Sequence, residues 1–201
     1  NAVLTIDEWI QGFTEKALEK AILENKVQRG ATAIVMDPRN GDILALASKP
    51  DFNLNNPFAP PAEQWVPEGT NLTNWQGRME AEINLLRETA WRNRALVDTY
   101  EPGSTFKVVA SCAGLEEGVV APDTITSDHP VEIGGWELNC WKSPPHGQET
   151  FRKGVYNSCN PVFVRIAQEL GVDKFYSYVR AFGFFDKTGI MLPEAGSIFH
   201  T

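Results

Sequence analysis

Tyr100-Glu101-Pro102-Gly103-Ser104-Thr105-Phe106-Lys107 is the stretch on which the reading of this chain turns. Pro102 disfavours the helical region for Glu101 and Gly103 frees the backbone, so residues 101–103 form a turn that is not helical throughout. A helix is expected from Ser104 to residue 117. Phe106, Val108, Val109, Ala110, Cys112, Ala113 and Leu115 leave it no solvated face, which sends it through the middle of a domain. Gly118 is its stop. Ser104 and Lys107 are three residues apart, so on a helix their side chains share one face a turn apart. A serine becomes a nucleophile when a base stands beside it, and a lysine is a base only where burial keeps its amine neutral part of the time. The unpaired N–H groups at a helix start could hold the oxyanion that forms when Ser104 attacks a carbonyl. An ordinary helix cap is the other reading of Ser104.

The flanks of this pair weigh against a simple cap. Ser-x-x-Lys combined with a Ser-Asp-Asn element and a Lys-Thr-Gly element marks penicillin-binding proteins and class A β-lactamases. Arg92-Asn93-Arg94-Ala95 followed by the string 100–107 closely resembles the transpeptidase domain of class B penicillin-binding proteins. Leu4-Thr5-Ile6-Asp7, a helix, Ala33-Ile34-Val35-Met36-Asp37-Pro38 and Gly41-Asp42-Ile43-Leu44-Ala45 resemble the opening of the same domain. In that family these strands pack beside the serine-bearing helix.

Length and composition agree with one core. The chain has 201 residues, 42% of them hydrophobic, enough for one core with room for a subdomain. A net charge of −8 argues against a nucleic-acid partner, whose phosphates it would repel. Six tryptophans and thirteen prolines point to long ordered loops. No run of eighteen apolar residues is present and no signal peptide opens the chain. Both ends look cut, so a membrane anchor could have preceded this segment. Cys112, Cys140 and Cys159 lack Cys-x-x-Cys spacing, and His129, His146 and His200 stand far apart. A disulfide framework or zinc site is therefore not expected, nor is any cofactor. Cys112 reads as a small core residue, the histidines as structural or exposed, and a single bridge from Cys140 to Cys159 stays open.

Taken in order, Ile6, Ile10, Phe13, Ala17 and Ala21 predict an amphipathic helix over 7–24, capped by Thr5 or Asp7 and lying on a sheet. Strands are expected at 31–36 and 43–48, joined through Asn40-Gly41. Their runs are apolar on both faces, so cover is expected on both sides. Residues 49–75 read as a long proline-rich surface loop and 78–89 as a polar helix. After the central helix, 122–130 is a loop and 131–138 a hairpin around Gly134-Gly135. Asn139-Cys140-Trp141-Lys142, His146-Gly147 and Thr150-Phe151 again resemble the class B proteins.

Ser158-Cys159-Asn160 lies between a helix ending near Asn157 and one running from Pro161 to Leu170 with Gly171 as its stop. Asn160 before Pro161 fits a helix cap. A loop clamped between helices is also where polar groups can be held rigid at a cleft. Ser158 there could pass a proton to a leaving amine, and Asn160 could bind a substrate amide or hold Lys107. Lys187-Thr188-Gly189 would complete the three elements, but glycine before it and Pro193 after it make it a loop, not the strand that element requires. In the resembling family a Lys-Thr-Gly in this setting is a structural turn, and the catalytic one comes much later.

These readings predict an α+β fold: a truncated transpeptidase domain of the penicillin-binding protein and serine β-lactamase type. It comprises helix and hairpin over 1–48, a loop-rich insertion over 49–98, and a helical part over 99–201 bearing the nucleophile, with later sheet strands missing. The resemblance implies a D,D-transpeptidase of peptidoglycan cross-linking with Ser104, Lys107, Ser158 and Asn160 as its site. Peptidoglycan stem peptides and β-lactam antibiotics would be its ligands and a membrane glycosyltransferase a partner of the full-length protein. It also implies the extracytoplasmic face of the bacterial membrane and a role in division, elongation or sporulation. Without its third element the chain alone is expected to turn over little and to acylate poorly. A serine β-lactamase of the same fold is the alternative, although no residue stands out as its water-activating carboxylate. A sensor or scaffold sharing Ser104 and Lys107 is another.

Overall fold

The structure, a computed structural model, describes residues 3–199. The chain divides into two units, one formed by residues up to Asp98 with Met191–Ala195, the other by Thr99–Ile190 with the residues after Ala195. His200, read above as structural or exposed, lies outside the described residues.

In the first unit, α1 (Glu8–Asn25) packs on an antiparallel hairpin of β1 (Ala31–Met36) and β2 (Ile43–Lys49). Asp7 caps α1 by accepting from the N–H groups of Trp9 and Ile10, and Lys26 closes it in the left-handed region. The buried face is not the one expected. Leu18 and Ile22 meet Ala47, while Phe13, Ala17 and Ala21 are exposed. The reason is polar. The Gln11 side-chain amide donates to Leu46 O at 3.2 Å and accepts from Leu46 N at 2.8 Å, and Asp7 N donates to Leu44 O at 2.9 Å. These bonds satisfy the outer edge of β2 and set the rotation of the helix, a need that counting apolar residues misses.

Cover on both faces of the hairpin is also not found: Thr32, Ile34 and Met36 of β1 alternate outward and are exposed. Among the described residues the sheet has only these two strands. The polar helix α2 (Glu80–Glu88) is held at its start by Glu82, whose carboxylate accepts from the N–H groups of Gln76, Arg78 and Met79. The short α3 (Arg94–Val97) follows, with Asp98 gripping Arg92 and Arg94.

The second unit is built on three helices. α4 (Lys107–Glu116) packs against α6 (Asn160–Leu170) and α7 (Val172–Ala181), and α5 (Phe151–Tyr156) leads into α6. Gly114 permits the close approach of α4 to α6, since a Cβ there would lie 2.7 Å from Ile166 Cγ2. Ala110, Ala113, Phe151, Val162, Phe163 and Ile166 form much of the core. α4 is not buried all round. Val109, Ala110, Ala113 and Gly114 are inside, but Val108, Cys112 and Leu115 form an exposed stripe, so Cys112 is not the core residue expected. Apolar composition sets which faces can be buried, not which ones are.

The expected hairpin is present as β4 (Val131–Ile133) and β5 (Trp136–Leu138), with Gly134 and Gly135 at positive φ in its two-residue turn. The expected loop at 122–130 contains β3 (Ile125–Ser127), which pairs antiparallel with β6 (Gln148–Thr150). Partners more than twenty residues apart leave no local signal for so short a strand.

Candidate active site

Ser104 does not open an α-helix. Residues Gly103–Phe106 form a tight 3-10 turn, Gly103 takes a φ of 58°, and α4 begins at Lys107. The turn keeps the expected relation, because side chains at i and i+3 eclipse on a 3-10 turn. Ser104 is exposed and Lys107 partly buried. Gly118 takes a positive φ just past the helix end, as a stop residue does.

The Lys107 ammonium is gripped by the loop between α5 and α6. Nζ donates to Ser158 O at 2.7 Å, to Ser158 Oγ at 2.9 Å and to Asn160 Oδ1 at 2.5 Å. It also stands 5.2 Å from the centre of the Phe163 ring, a contact between residues too far apart in the chain to leave a local signal. Among the described residues no hydrogen bond joins Ser104 to Lys107; apo sites often hold such pairs loosely. Burial pushes the Lys107 amine below its ordinary value, and the Cys159 thiol opposes this weakly. Its oxygen partners are a carbonyl, a hydroxyl and an amide, none of them charged. Beside the lysine opens a cleft of about 240 Å³ lined by Gly103, Phe106, Asn160, Phe163 and Phe175.

The loop has the backbone to do this. Cys159 N donates to Gly154 O and Ser158 N to Val155 O, which closes α5 with Ser158 in the left-handed region at φ 50°. Glycine is the usual residue there, and serine costs about 1 kcal/mol more. The side chain that incurs this cost is the one bonded to Lys107. Asn160 is the first residue of α6 rather than its cap; Cys159 holds the cap position with no side-chain bond. The cap reading of Asn160 therefore falls, and its amide oxygen is spent on Lys107. Trp141 braces the loop by donating from Nε1 to Asn157 O at 2.8 Å.

Lys187-Thr188-Gly189 lies in an irregular stretch after α7, with Gly189 at φ 82°. Among the described residues no Lys-Thr-Gly stands on a strand.

One cluster runs against the expectation from linear spacing. Cys140, His146 and Cys159 place one ligand atom each within 4.8 Å of the others. Cys140 Sγ is 3.3 Å from His146 Nδ1, and the buried Asp128 carboxylate is 3.9 Å from the same nitrogen. All three cysteines are free thiols, and burial pushes that of Cys159 up to about 11. The His146 side chain is buried and His129 is exposed.

Comparison with known proteins covers nearly the whole chain. Residues 31–197 match the family model described as the penicillin binding protein transpeptidase domain. Stage V sporulation protein D of Bacillus subtilis is 36% identical over 96% of this chain and 26% of its own length. The peptidoglycan D,D-transpeptidase MrdA of Acinetobacter baumannii is 32% identical over 83% of the chain and 23% of its own length. The crystal structure of Pseudomonas aeruginosa PBP2 in complex with WCK 5153 superposes with a TM-score of 0.72 at 26% identity, over 99% of this chain and 41% of that one. The chain thus spans about a quarter of the length of these curated relatives. A family match over 167 of 201 residues, carried through both units, makes this chain a member of the penicillin-binding protein transpeptidase domain family.

Proposed function

We propose that this chain carries the acylation half of a serine D,D-transpeptidase site that acts on peptidoglycan stem peptides. The observation that carries the reading is the grip of Ser158 and Asn160 on Lys107, one turn after Ser104. Neutral oxygens orient the amine without raising its pKa as carboxylates would, and burial favours its neutral form. Neutral Lys107 takes the proton from Ser104 Oγ as that oxygen attacks the penultimate D-alanine carbonyl. Backbone N–H groups at the start of the turn and helix stabilise the oxyanion. Lys107 then returns the proton through Ser158 Oγ to the leaving D-alanine nitrogen. The acyl group stays on Ser104 until an acceptor amine attacks it and restores the serine. Asn160 holds Lys107 and binds a substrate amide. β-Lactams enter as mimics of the donor and leave a stable acyl-Ser104.

The relatives named as peptidoglycan D,D-transpeptidases support this chemistry. The loop setting of Lys187-Thr188-Gly189 argues only against its being the third element. The bacterial cell envelope, with a membrane anchor and a glycosyltransferase partner for the full-length protein, follows from the same reading. No described helix is long and apolar enough to cross a membrane. Incubation with a donor stem peptide and a D-amino acid tests the function. Exchange of the terminal D-alanine supports transpeptidation, hydrolysis of a lactam supports a β-lactamase, and a stable adduct alone supports a sensor.

A further inference from the structure

Asn157 stands just before Ser158 and is tied down twice from outside its own helix. Its side chain donates from Nδ2 to Glu149 Oε2 of β6 at 2.6 Å, and its carbonyl accepts from Trp141 Nε1 at 2.8 Å. We propose that Glu149 and Asn157 are positioning residues for the acylation site: their bond sets where Ser158 and Asn160 stand, and so aims the Lys107 amine at Ser104. This rests on the transpeptidase reading above and adds to it the part that holds its base.

The loop needs an anchor of this kind. Ser158 and Asn160 supply three bonds to Lys107, none longer than 2.9 Å, and a site of that sort works only when its parts are held within about 0.5 Å. The backbone N–H groups of the loop bond only back to α5: Asn157 N to Lys153 O, Ser158 N to Val155 O and Cys159 N to Gly154 O. α5 has six residues, too few to keep a shape by itself. Glu149 is fixed where α5 is not, because it pairs with Thr126 of β3, whose Oγ1 donates to Glu149 O at 3.0 Å. The bond from Asn157 carries that rigidity to the neighbouring Ser158. A serine at φ 50° keeps its left-handed backbone only while its surroundings over-determine it. Freed from Glu149, it can relax and carry both of its oxygens away from Lys107.

The choice of acceptor points the same way. Glu149 is 7% exposed and its buried Oε1 has no hydrogen-bond partner. Burying a carboxylate with one oxygen unbonded is destabilising, and an apolar pair of similar volume would serve the fold at least as well. What the apolar pair lacks is direction. Oε2 accepts from one amide at one angle, which fixes Asn157 in a way that packing does not.

The test changes each end of the bond and reads two things: amide exchange at residues 158–160, and the rate at which a fluorescent penicillin labels Ser104. Asn157→Ala and Glu149→Ala should quicken exchange there and slow labelling about 10–100-fold, the effect of a misplacement of about 1 Å. The loss should fall on the limiting rate and not on the half-saturating penicillin concentration. Glu149→Gln keeps an acceptor in place and should return both readouts to near-native values. Asn157→Asp sets two carboxylates face to face and should do worse than Asn157→Ala. Asn157→Asp combined with Glu149→Gln re-forms the bond with donor and acceptor exchanged, and should recover most of the loss. Urea denaturation gives the folded fraction, so labelling is compared per folded molecule, and Asn157, half-buried at a helix end, is the position that tolerates change better. Alanine variants with native exchange and labelling, Glu149→Gln as slow as Glu149→Ala, or a double variant no better than Asn157→Asp would overturn the proposal. Quicker exchange with unchanged labelling would overturn the link to Lys107. A native chain that takes no label at Ser104 would overturn the transpeptidase reading and the aim at Ser104 with it, while exchange, which needs no reaction there, still decides whether the bond holds the loop.

Discussion

Two partly buried lysines, one in each unit, show how the choice of partner decides what an amine can do. Lys49 of β2 donates to Glu19 Oε1 and to Asp51 Oδ2, each at 2.7 Å, beside a hollow of about 290 Å³ lined by Pro50 and Trp65. Burial alone would lower its pKa, but the bonds to Asp51 and Glu19 outweigh it and push it above the ordinary value. Lys107 is gripped as closely, but by oxygens without charge, and there burial wins. The first arrangement keeps an ammonium and serves as a clasp between α1 and the end of β2. The second leaves a neutral amine within reach, which a general base requires.

The largest effect should come from removing the second lysine. Lys107→Ala should cut β-lactam labelling of Ser104 by about 100–10,000-fold, the usual worth of a positioned general base, read from labelling rates. Lys107→Arg should fare no better, because a guanidinium does not deprotonate.

Asn160→Asp would turn one lysine into the other. A carboxylate beside Lys107 should raise its pKa, so the rise of acylation with pH, which for the native site lies below the ordinary 10.5, should move to higher pH. At neutral pH the rate should fall about tenfold for each unit by which the amine is raised. A pH–rate profile that does not shift would break the comparison.

Ser158→Gly separates function from fold. Glycine relieves the left-handed strain at φ 50° and should stabilise the chain by about 1 kcal/mol in urea denaturation, while the loss of Oγ slows acylation. Equal losses of both would mean that the serine is structural.

The smallest effect belongs to the clasp. Lys49→Met should cost about 0.5–1 kcal/mol, since both carboxylate partners are more than half exposed. It should leave Ser104 labelling unchanged. A lysine whose folded pKa is raised contributes fully below its unfolded value and loses the contribution as pH rises through the folded one. The gap to the native chain should therefore close only above about 10.5.

Much of this was legible in the sequence because it is local. Asp7, Asn40-Gly41, Gly134-Gly135, Pro161 and Gly171 write their turns and helix ends in residues that neighbour them. The Ser104–Lys107 relation is equally local, and the family resemblance brought Ser158 and Asn160 to it. What failed depended on distant partners. The rotation of α1 is set by Gln11 pairing with Leu46, thirty-five positions away. The strand at Ile125–Ser127 exists only through Gln148–Thr150. The exposed stripe of α4 follows from which of its faces finds a neighbour, and Cys140, His146 and Cys159 converge from three segments whose spacing matches no metal motif. Asn160 is the instructive case, since its cap signal was local and plausible, but a lysine fifty-three residues earlier holds its side chain.

The central claim is that Ser104 is the acylated residue and that Lys107 activates it. Prolonged incubation of the chain with a fluorescent penicillin, followed by proteolysis and mass mapping, tests it most directly. Slow, substoichiometric labelling is expected on the peptide containing Ser104, lost in both Ser104→Ala and Lys107→Ala. Label on any other residue, or label that survives Ser104→Ala, would contradict it.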